Sequence, residues 1–299
     1  LSNFFDKWFN ITKNVRIYKK ILSEKVMKYT KLKKKVSQGF LKMYEILTNF
    51  PLFRKNNKTI ITMSICEAPG QFVVAMNHYL KTQTMNSEYI WYANSLNPKN
   101  KKNIKKYGKN IIHDTYGLIR KYPNRWLYGE DNTGDITNLE NIRNIRDRIS
   151  KLNIDLITSD CGVASYGYTT YSYGEERMAY INFCQILFIL ICLSKGKSFI
   201  IKTFLPQIQP VNISLNYILY KLFDRINYYK PLQNRESGEF YIIGRGYKGI
   251  DNELLRKLVK YHKNNDYKNY DYTKSIIEVD DTFLFYYQKN IEKLVESNI

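Results

Sequence analysis

The sequence predicts an α/β fold in which helices cover both faces of a mostly parallel sheet. Runs of β-branched residues alternate with helical segments from residue 59 onward, which is the pattern of parallel strands joined by crossover helices. The first run, 59–65, is followed by a tight Pro-Gly turn and then by a helix. The 299 residues, 44% of them hydrophobic, suffice for one large domain with appendages or for two small domains.

The individual elements are predicted in chain order from these patterns. The strands fall at 59–65, at 88–93, near Ile111, and at 154–159, 197–203 and 239–244. The helices between them open at residue 72 and cover 137–149, 175–194 and 213–224. We expect residues 1–50 to form a basic helical segment, 51–250 the α/β core, and 251–299 a helical extension around an Asn- and Tyr-rich loop at 264–272.

The chain carries a large positive charge. Lys and Arg outnumber Asp and Glu by 47 to 27, which gives a net charge of +20. Such an excess favours nucleic acid as the partner over the alternative of a basic protein that its charge keeps soluble. A lysine run precedes the segment 40–47, and its members include Lys33, Lys34 and Lys35. A run of this kind is usually a solvated face, and contact with nucleic-acid phosphates is the alternative.

Cysteine usage and the apolar runs bear on the cellular compartment. The four cysteines are Cys66, Cys161, Cys184 and Cys192; none belongs to a C-x-x-C pair, and the chain has three histidines. We therefore expect no zinc site or other metal, and we interpret the cysteines as free thiols in a reducing compartment. The apolar run 181–193 is too short to span a bilayer and no secretory start is visible, so the sequence predicts a cytoplasmic protein.

A turn at the end of the first strand has the character of a ligand site. Ligands bind at the carboxyl ends of strands in open α/β sheets, and residues 66–72 lie at such an end. Gly70 permits close approach of the backbone to a ligand, Pro69 fixes the turn, and the following helix points its first amides at the same place. An ordinary strand-to-helix turn is the alternative. The turn is not a dinucleotide fingerprint, because G-x-G-x-x-G is absent.

Two lysines and two carboxylates fall at matching places in the same pattern. Asp160 follows the strand 154–159, where an aspartate that merely caps a turn is the alternative. Lys202 ends an otherwise apolar strand, and a buried lysine is costly unless it is paired or used. Glu239 begins the last strand, and Lys42 lies on an amphipathic helix.

These four residues and their contexts resemble the K-D-K-E tetrad of the FtsJ-like RNA ribose 2′-O-methyltransferases. The contexts are F-L-K-M-Y-E-I-L, D-L-I-T-S-D, G-K-S-F-I-I-K-T-F and S-G-E-F-Y-I-I-G, and the resemblance covers roughly residues 36–248. The A-P-G core after the first strand resembles the S-adenosylmethionine turn of this family, and the E-A-P-G-x-F form is closer to viral and cap-directed members. Cys66 and Gln71 stand where many members have glycine, and Ser64 stands where an aspartate is common.

The resemblance implies a Rossmann-like, S-adenosylmethionine-dependent methyltransferase fold with a mostly parallel seven-stranded sheet and helices on both faces. It also implies the cofactor contacts, which are Cys66, Glu67, Ala68, Pro69, Gly70, Phe72, Asn94, Ser95, Leu96, Asp135, Ile136 and Asp160. For Asp135 the alternative is a Gly-Asp turn that caps the helix at 137–149.

The same resemblance assigns the chemistry to Lys42, Asp160, Lys202 and Glu239 without a metal ion. A ribose hydroxyl is a poor nucleophile until a base takes its proton, and Lys202 is the candidate base. Lys42 and burial favour the neutral form of Lys202 that this role needs, whereas Asp160 and Glu239 favour the charged form and orient the side chain. In-line transfer of an activated sulfonium methyl then needs chiefly alignment.

RNA contacts are expected around this site. Tyr168 and Tyr171 lie in the tyrosine-rich segment 164–177 and could stack bases or a cap guanine; the alternative is a loop that merely shares the tyrosine-rich composition of the chain. Lys230 and Arg235 precede Glu239 and resemble the K-P-x-x-S-R approach of cap-directed members, with Asn234 in place of the serine. Arg235 either contacts phosphate or braces the loop.

The predicted function is 2′-O-methylation of RNA ribose at an mRNA 5′ cap. The alternatives are an rRNA or tRNA ribose methyltransferase and a non-catalytic RNA-binding scaffold or polymerase accessory subunit. A DNA base methyltransferase would need an N-P-P-Y-type motif at 159–162, and none is there. Expected partners are capped RNA and other capping or transcription proteins. The composition and the viral-type motifs favour a large cytoplasmic DNA virus, such as an asfarvirus relative, as the source, and the viral factory or the virion as the location.

Overall fold

The strands form one mixed sheet at the centre of the protein. A computed structural model describes residues 17–28, 36–53, 57–83, 87–108, 112–162, 174–234, 237–265 and 269–296. The strands are β1 (Thr59–Ile65), β2 (Glu88–Ala93), β3 (Leu156–Ser159), β4 (Ser198–Phe204), β5 (Phe223–Tyr229) and β6 (Glu239–Tyr247). Their order is β2-β1-β3-β4-β6-β5, with β2, β1, β3 and β4 parallel and β6 antiparallel to both of its neighbours. The predicted mostly parallel α/β sheet is confirmed.

Helices surround this sheet and connect its strands. They are α1 (17–28), α2 (Gln38–Asn49), α3 (Gln71–Thr82), α4 (Lys101–Tyr107), α5 (Leu118–Lys121), α6 (Leu139–Ile149), α7 (Gly174–Cys192), α8 (Pro210–Leu222), α9 (Asn252–Lys263) and α10 (Asp281–Glu296). Short 3-10 turns lie at Pro123–Arg125 and Leu232–Asn234.

The helices pack on both faces because the central strands are apolar on both sides. Along β4, Phe199 and Ile201 join the core that α6, α7 and α8 line, whereas the intervening Ile200 joins the core of α2 and α3. This division follows from the strand geometry, in which successive side chains point to opposite faces. The apolar run of α7 lies within the first of these cores, and among the described residues no helix is long and apolar enough to cross a membrane.

The strand count and one strand position differ from the expectation. Within the described residues the sheet has six strands rather than seven, and Ile111 lies outside those residues. The helix expected at 213–224 ends at Leu222, and β5 begins at the next residue, Phe223. β5 forms an edge of the sheet, and its mostly half-exposed or exposed residues do not give the apolar run that marks a buried strand.

Both terminal additions pack against this core. Leu22 of α1 lies against the core of α2 and α3, and Leu258 of α9 is buried in the core on the opposite face. Phe283 and Tyr287 of α10 pack against Tyr217 of α8. The division into three segments stays a prediction, although the helical character of both ends agrees with it.

Candidate active site

Four charged side chains that lie far apart in the sequence meet at one edge of the sheet. Asp160 follows β3 and Lys202 lies near the end of β4, so both lie at the carboxyl edge of the parallel strands. β6 runs the other way, and its first residue, Glu239, pairs with Phe204 at the end of β4. The antiparallel strand therefore delivers a carboxylate to the edge where the parallel strands end.

Helix α2 delivers Lys42 to the same place. The helix begins at its N-cap Ser37, whose hydroxyl accepts a hydrogen bond from the Phe40 amide, and it buries Met43 and Ile46 against the sheet. Lys42 extends from this half of the helix, and its Nζ donates to Glu239 Oε1 at 2.5 Å. Only 8% of Lys42 is exposed, so this pair is an interior ion pair rather than a surface one.

The second lysine is held by a different carboxylate. Lys202 Nζ lies 2.9 Å from the Asp160 backbone carbonyl oxygen and 3.2 Å from Asp160 Oδ1. Lys202 is 9% exposed, and its Nζ would lie 3.6 Å from a Cβ placed on the exposed Gly162. Asp160 therefore holds the ammonium group on one side, and Gly162, which has no side chain, lies on another side.

Tyr241 joins the two ion pairs, and the sequence analysis did not find it. Its hydroxyl lies 3.1 Å from Asp160 Oδ1 and 3.4 Å from Glu239 Oε1, and the residue is fully buried. Burial raises the pKa of the Tyr241 phenol well above its usual value, and Asp160 and Glu239 raise it further, so the hydroxyl stays a donor. A signal was available, because Tyr241 follows Glu239 by two residues on a strand and so lies on the same face.

The lysines decide the protonation of Glu239. Burial by itself raises the pKa of this carboxyl, but Lys42 and Lys202 outweigh burial and the net pKa is lowered. Asn234 adds a hydrogen bond from its Nδ2 to Glu239 Oε1 at 2.6 Å. Glu239 therefore stays ionised and fixes Lys42 in place.

The turn after β1 is built around a buried carboxyl group. Glu67 Oε1 accepts hydrogen bonds from the amides of Phe72 at 2.8 Å and Val73 at 3.1 Å, at the start of α3. Burial raises the pKa of Glu67 to about 8; Asp160 raises it too, whereas the two amides oppose the shift. The Ala68–Pro69 peptide bond is cis. Two of the α3 amides that we expected to face a ligand therefore donate their hydrogen bonds to Glu67 instead.

Gly70 and Phe72 shape this turn without side-chain groups that could bind a polar ligand. Gly70 has a φ of 108°, and a Cβ there would lie 2.4 Å from Leu118 Cδ1, so the backbone conformation and the close packing both require glycine. Phe72 is 1% exposed, and its ring lies 6.3 Å from that of Tyr241. Phe72 therefore packs beneath the turn as part of the core and against the ring of Tyr241.

Gln71, one of the two residues expected to stand in place of a family glycine, points away from the turn. Its Oε1 accepts a hydrogen bond from the Ser37 hydroxyl at 2.7 Å, and a Cβ on Gly39 would lie 2.2 Å from that oxygen. The side chain fastens the start of α3 to the start of α2, which carries Lys42. Gln71 therefore leaves the turn open.

Cys66, the other of these two residues, corrects the interpretation of the cysteines as free thiols. Cys66 and Cys161 form a disulfide, whereas Cys184 and Cys192 are free and buried. The pairing follows from the sheet register, because Ile65 at the end of β1 is paired with Ser159 at the end of β3. The two cysteines are 95 residues apart, so their spacing gives no hint of it. Cys66 has a φ of 55°, in the region that favours glycine.

The end of β2 offers an unpaired polar atom. Asn94 is fully buried, and its Nδ2 donates to the carbonyl oxygens of Leu127 at 2.8 Å and Gly134 at 3.2 Å. Its Oδ1 is buried and accepts no hydrogen bond from the residues that the structure describes. A buried acceptor without a donor suits a hydroxyl or amino group of a ligand. Next to it, Ser95 Oγ accepts from the Ala68 amide at 3.3 Å, and Leu96 is half-buried.

Asp135 lies in the loop before α6 and has a local role. Its Oδ1 accepts hydrogen bonds from the amide of Thr137 at 2.9 Å and from its hydroxyl at 2.7 Å, while Asn138 is the N-cap of the helix. The turn-forming alternative for Asp135 agrees with this geometry, and a cofactor contact stays a prediction. Ile136 is buried in the core and offers a ligand no exposed surface.

Of the residues expected to bind RNA, only Lys230 lies within the described part of the chain. Its Nζ donates to the carbonyl oxygens of Ser237 and of Glu239, the latter at 3.3 Å, so it braces the loop before β6. Burial lowers its pKa to about 8, although Glu239 opposes the shift. Lys33, Lys34, Lys35, Tyr168, Tyr171 and Arg235 lie outside the described residues.

Comparison with known proteins identifies the family. The family model of FtsJ-like methyltransferases matches residues 35–247, which include both lysines, both carboxylates and the turn after β1. The chain belongs to the FtsJ-like methyltransferase family. The sequence-based resemblance is thereby confirmed, and with it S-adenosylmethionine as the methyl donor that the family uses. Helices α1, α9 and α10 lie outside the matched region.

The relatives include viral and animal proteins. A protein of Acanthamoeba polyphaga mimivirus is 36% identical over 86% of this chain and 32% of its own length. The mouse cap-specific mRNA (nucleoside-2′-O-)-methyltransferase 2 is 32% identical over 75% of this chain and 29% of its own length. A probable methyltransferase of African swine fever virus is 29% identical over 80% of this chain and 55% of its own length. The chain thus spans about a third of the first two relatives.

Proposed function

We propose that this protein transfers a methyl group from S-adenosylmethionine to the ribose 2′-hydroxyl of RNA, at the 5′ cap of an mRNA. The proposal is carried by one observation: the Lys202 ammonium lies against Asp160 beside a second, fully paired lysine, at the sheet edge where the cofactor turn begins. The activity for which the mouse relative is named supports both the reaction and the cap as its target.

The residues at this edge suit the cofactor. S-adenosylmethionine carries a sulfonium, an ammonium and ribose hydroxyl groups, and it supplies an activated methyl when bound. Glu67 and Asp160 offer carboxylates to its positive groups, and Asn94 Oδ1 offers an unpaired acceptor to a hydroxyl. A cation near Glu67 would favour its ionised form and so lower the pKa that burial raises.

Lys202 is the proposed base. A neutral amine has two N–H groups and one lone pair, and the two oxygens of Asp160 within reach of Nζ match the two N–H groups. The lone pair is then left to take the proton of the 2′-hydroxyl. In this arrangement Asp160 orients the base through hydrogen bonds, and the Gly162 position leaves room beside the amine.

Lys42 and Glu239 act on this base from the side. Glu239 is bound to Lys42 at 2.5 Å, and the Tyr241 hydroxyl lies within reach of both Glu239 and Asp160. In the proposal this pair holds the charges around Lys202 in a fixed arrangement, while Asp160 orients the base.

We further propose a cytoplasmic place of action and association with other capping or transcription proteins, consistent with the relatives from two large DNA viruses. Among the described residues there is no group of three or more His, Cys, Asp or Glu side chains that could hold a metal ion. The chemistry assigned to the two lysines does not call for one.

The test is transfer of labelled methyl to matched RNAs with and without a 5′ cap. Lys202→Ala should abolish transfer. Lys197→Ala is the matched control, because Lys197 pairs with Asp155 at 2.6 Å at the opposite end of the same strands. Cap-dependent transfer lost only in Lys202→Ala supports the proposal. Equal transfer to both RNAs points to an internal ribose, and transfer that survives Lys202→Ala overturns the assigned base.

A further inference from the structure

A dense positive surface lies beside the ends of β1 and β2, where we propose that the cofactor binds and which we call the cofactor edge. This surface takes no part in the proposed chemistry. Residues 97–128 carry nine Lys or Arg residues and one acidic residue, Asp114. In the structure the exposed lysines gather on and just before α4; they are Lys99, Lys101, Lys102, Lys105 and Lys106, and we call them the basic rim. About a tenth of the chain thus holds a large share of its net charge of +20.

An asparagine network fixes the basic rim in place. Asn103 Nδ2 donates to the carbonyl oxygens of Asn97 at 3.0 Å and Thr133 at 2.7 Å, and Asn100 Nδ2 donates to that of Asn132 at 3.0 Å. A helix as short as α4 is not stable alone in water, so these bonds hold it to the loop that leads to Asp135. The lysines therefore keep a defined position relative to the cofactor edge.

The positive surface continues towards the cofactor turn. Leu118, the first residue of α5, packs against Gly70, and the exposed Arg120 and Lys121 follow on the same helix. Arg125 lies over the rings of Trp91 at 5.3 Å and Tyr122 at 5.7 Å, which holds its guanidinium near the same edge. The basic rim and α5 are thus held to neighbouring parts of the same edge, the rim to the loop before Asp135 and α5 to Gly70.

We propose that the basic rim binds phosphate groups of the substrate RNA outside the reacting nucleotide and supplies affinity for it. The inference rests on the proposed function, which makes RNA the substrate. Residues 97–135, which include the loop that holds the rim, carry nine Lys or Arg residues against four acidic residues. This positive excess is complementary to a polyanion, and each lysine that neutralises a phosphate releases a counterion. Lysines without neighbouring base-specific groups bind the backbone independently of sequence.

The test measures the equilibrium affinity of a fluorescent single-stranded RNA over a series of salt concentrations. The test variant carries Lys99→Ala, Lys101→Ala, Lys102→Ala and Lys105→Ala. The control variant removes four exposed charges from α9, by Arg256→Ala, Lys257→Ala, Lys260→Ala and Lys263→Ala. Alanine favours helix, so both variants should fold, and thermal unfolding checks this.

In the test variant we expect the slope of log affinity against log salt to become shallower by about 1 to 3, since each phosphate contact contributes about 0.7 for a single strand. The affinity at moderate salt should fall roughly 10- to 100-fold. The α9 variant should change both quantities much less. A third variant with arginine at the same four rim positions should retain the affinity, because it keeps the charges.

Two results would overturn the proposed role of the basic rim in RNA binding. Equal losses in the rim and α9 variants would show a general effect of net charge, and unchanged RNA affinity in the rim variant would leave the surface to an acidic protein partner. The proposed methylation fails separately: if the unaltered protein binds RNA through the rim but transfers no methyl group to any RNA, the rim stands and the enzymatic proposal falls.

Discussion

Two buried glutamates at the same sheet edge differ in their protonation. Glu239 has a lowered pKa despite its burial, because Lys42 and Lys202 lie next to it. Glu67 is 4% exposed and has a pKa raised to about 8, because burial raises it and the carboxylate of Asp160 raises it further. The lysines therefore decide the difference, rather than the depth of burial.

This difference separates the two halves of the site. The half around β4 and β6 is held by ion pairs whose members come from distant segments. The half around β1 and β2 is held by backbone amides, by asparagine side chains and by the Cys66–Cys161 disulfide. In the proposed mechanism the first half carries the base, and we call it the catalytic half. The second half receives the cationic cofactor, and we call it the cofactor half.

The largest effect on activity should come from replacing Lys202 with arginine, and the same replacement at Lys42 is the comparison. Lys202→Arg should lower kcat by about 10²- to 10⁴-fold, because a guanidinium does not give up its proton near neutral pH. Lys42→Arg should keep much more activity, since its role is that of a charge paired with Glu239. Steady-state methyl transfer measures both. Equal losses in the two arginine variants would contradict the separate roles.

The cofactor half should respond to pH through Glu67. The folded protein keeps the Glu67 proton up to about pH 8, whereas an unperturbed glutamate releases it near 4.5, so Glu67 lowers stability as the pH rises through that window. Glu67→Gln should therefore raise the free energy of unfolding at pH 9 by roughly 3–5 kcal/mol relative to the unaltered protein, since one pKa unit is worth about 1.4 kcal/mol. Denaturant titrations at pH 4, 7 and 9 measure it.

Glu239→Gln provides the opposite case. Its folded pKa is lowered, so its contribution to stability is present at neutral pH and is lost as the pH falls. We expect Glu239→Gln to destabilise the protein at pH 7, because it also leaves Lys42 without its partner. If both glutamine variants shifted stability in the same direction at high pH, the contrast between the two halves would be wrong.

The disulfide should stabilise the cofactor half by a smaller amount. It closes a loop of 95 residues, and a bridge of this kind is typically worth about 2–4 kcal/mol. Replacing Cys66 and Cys161 together with alanine should lower the free energy of unfolding by that amount, as should a reductant acting on the unaltered protein. The same reductant should have no effect on the double variant. A stability that the reductant leaves unchanged would show that the bridge contributes little.

The two halves also differ in how far the sequence predicts them. The fold is predicted because strands and amphipathic helices leave local patterns in the sequence, whereas the four charged residues are singled out by the resemblance to the FtsJ-like family. Gln71 and Lys230 could not be placed from sequence, since each side chain turns towards a partner that folding brings near, Ser37 and Ser237 respectively. Non-local contacts of this kind leave no periodic signal.

The cysteines and β5 show two further limits. The Cys66–Cys161 bridge depends on the register of β1 against β3, which no spacing encodes. The sequence pattern predicts no strand at β5 and extends the preceding helix to residue 224, because an edge strand carries polar residues on its open side and its pattern is weaker than that of a buried strand. Tyr241, by contrast, was accessible from the two-residue strand period and the position of Glu239.

The smallest effect concerns Tyr241, which joins the two carboxylates of the tetrad. Tyr241→Phe removes a donor 3.1 Å from Asp160 Oδ1, and Asp160 in turn holds Lys202. One hydrogen bond is worth about 1 kcal/mol net, so we expect kcat to fall about 3- to 10-fold and the free energy of unfolding to fall by about 1 kcal/mol. Measuring both quantities separates positioning from stability.

Tyr228→Phe is the matched control for this variant. Tyr228 donates to Asn216 Oδ1 at 3.1 Å from the neighbouring strand β5, so its replacement removes a similar bond without touching the tetrad. Both variants should lose similar stability, but only Tyr241→Phe should lower kcat. A fall in kcat of equal size in both would mean that the hydroxyl of Tyr241 only supports the fold, and that Lys42 with Glu239 and Lys202 with Asp160 act as two independent pairs.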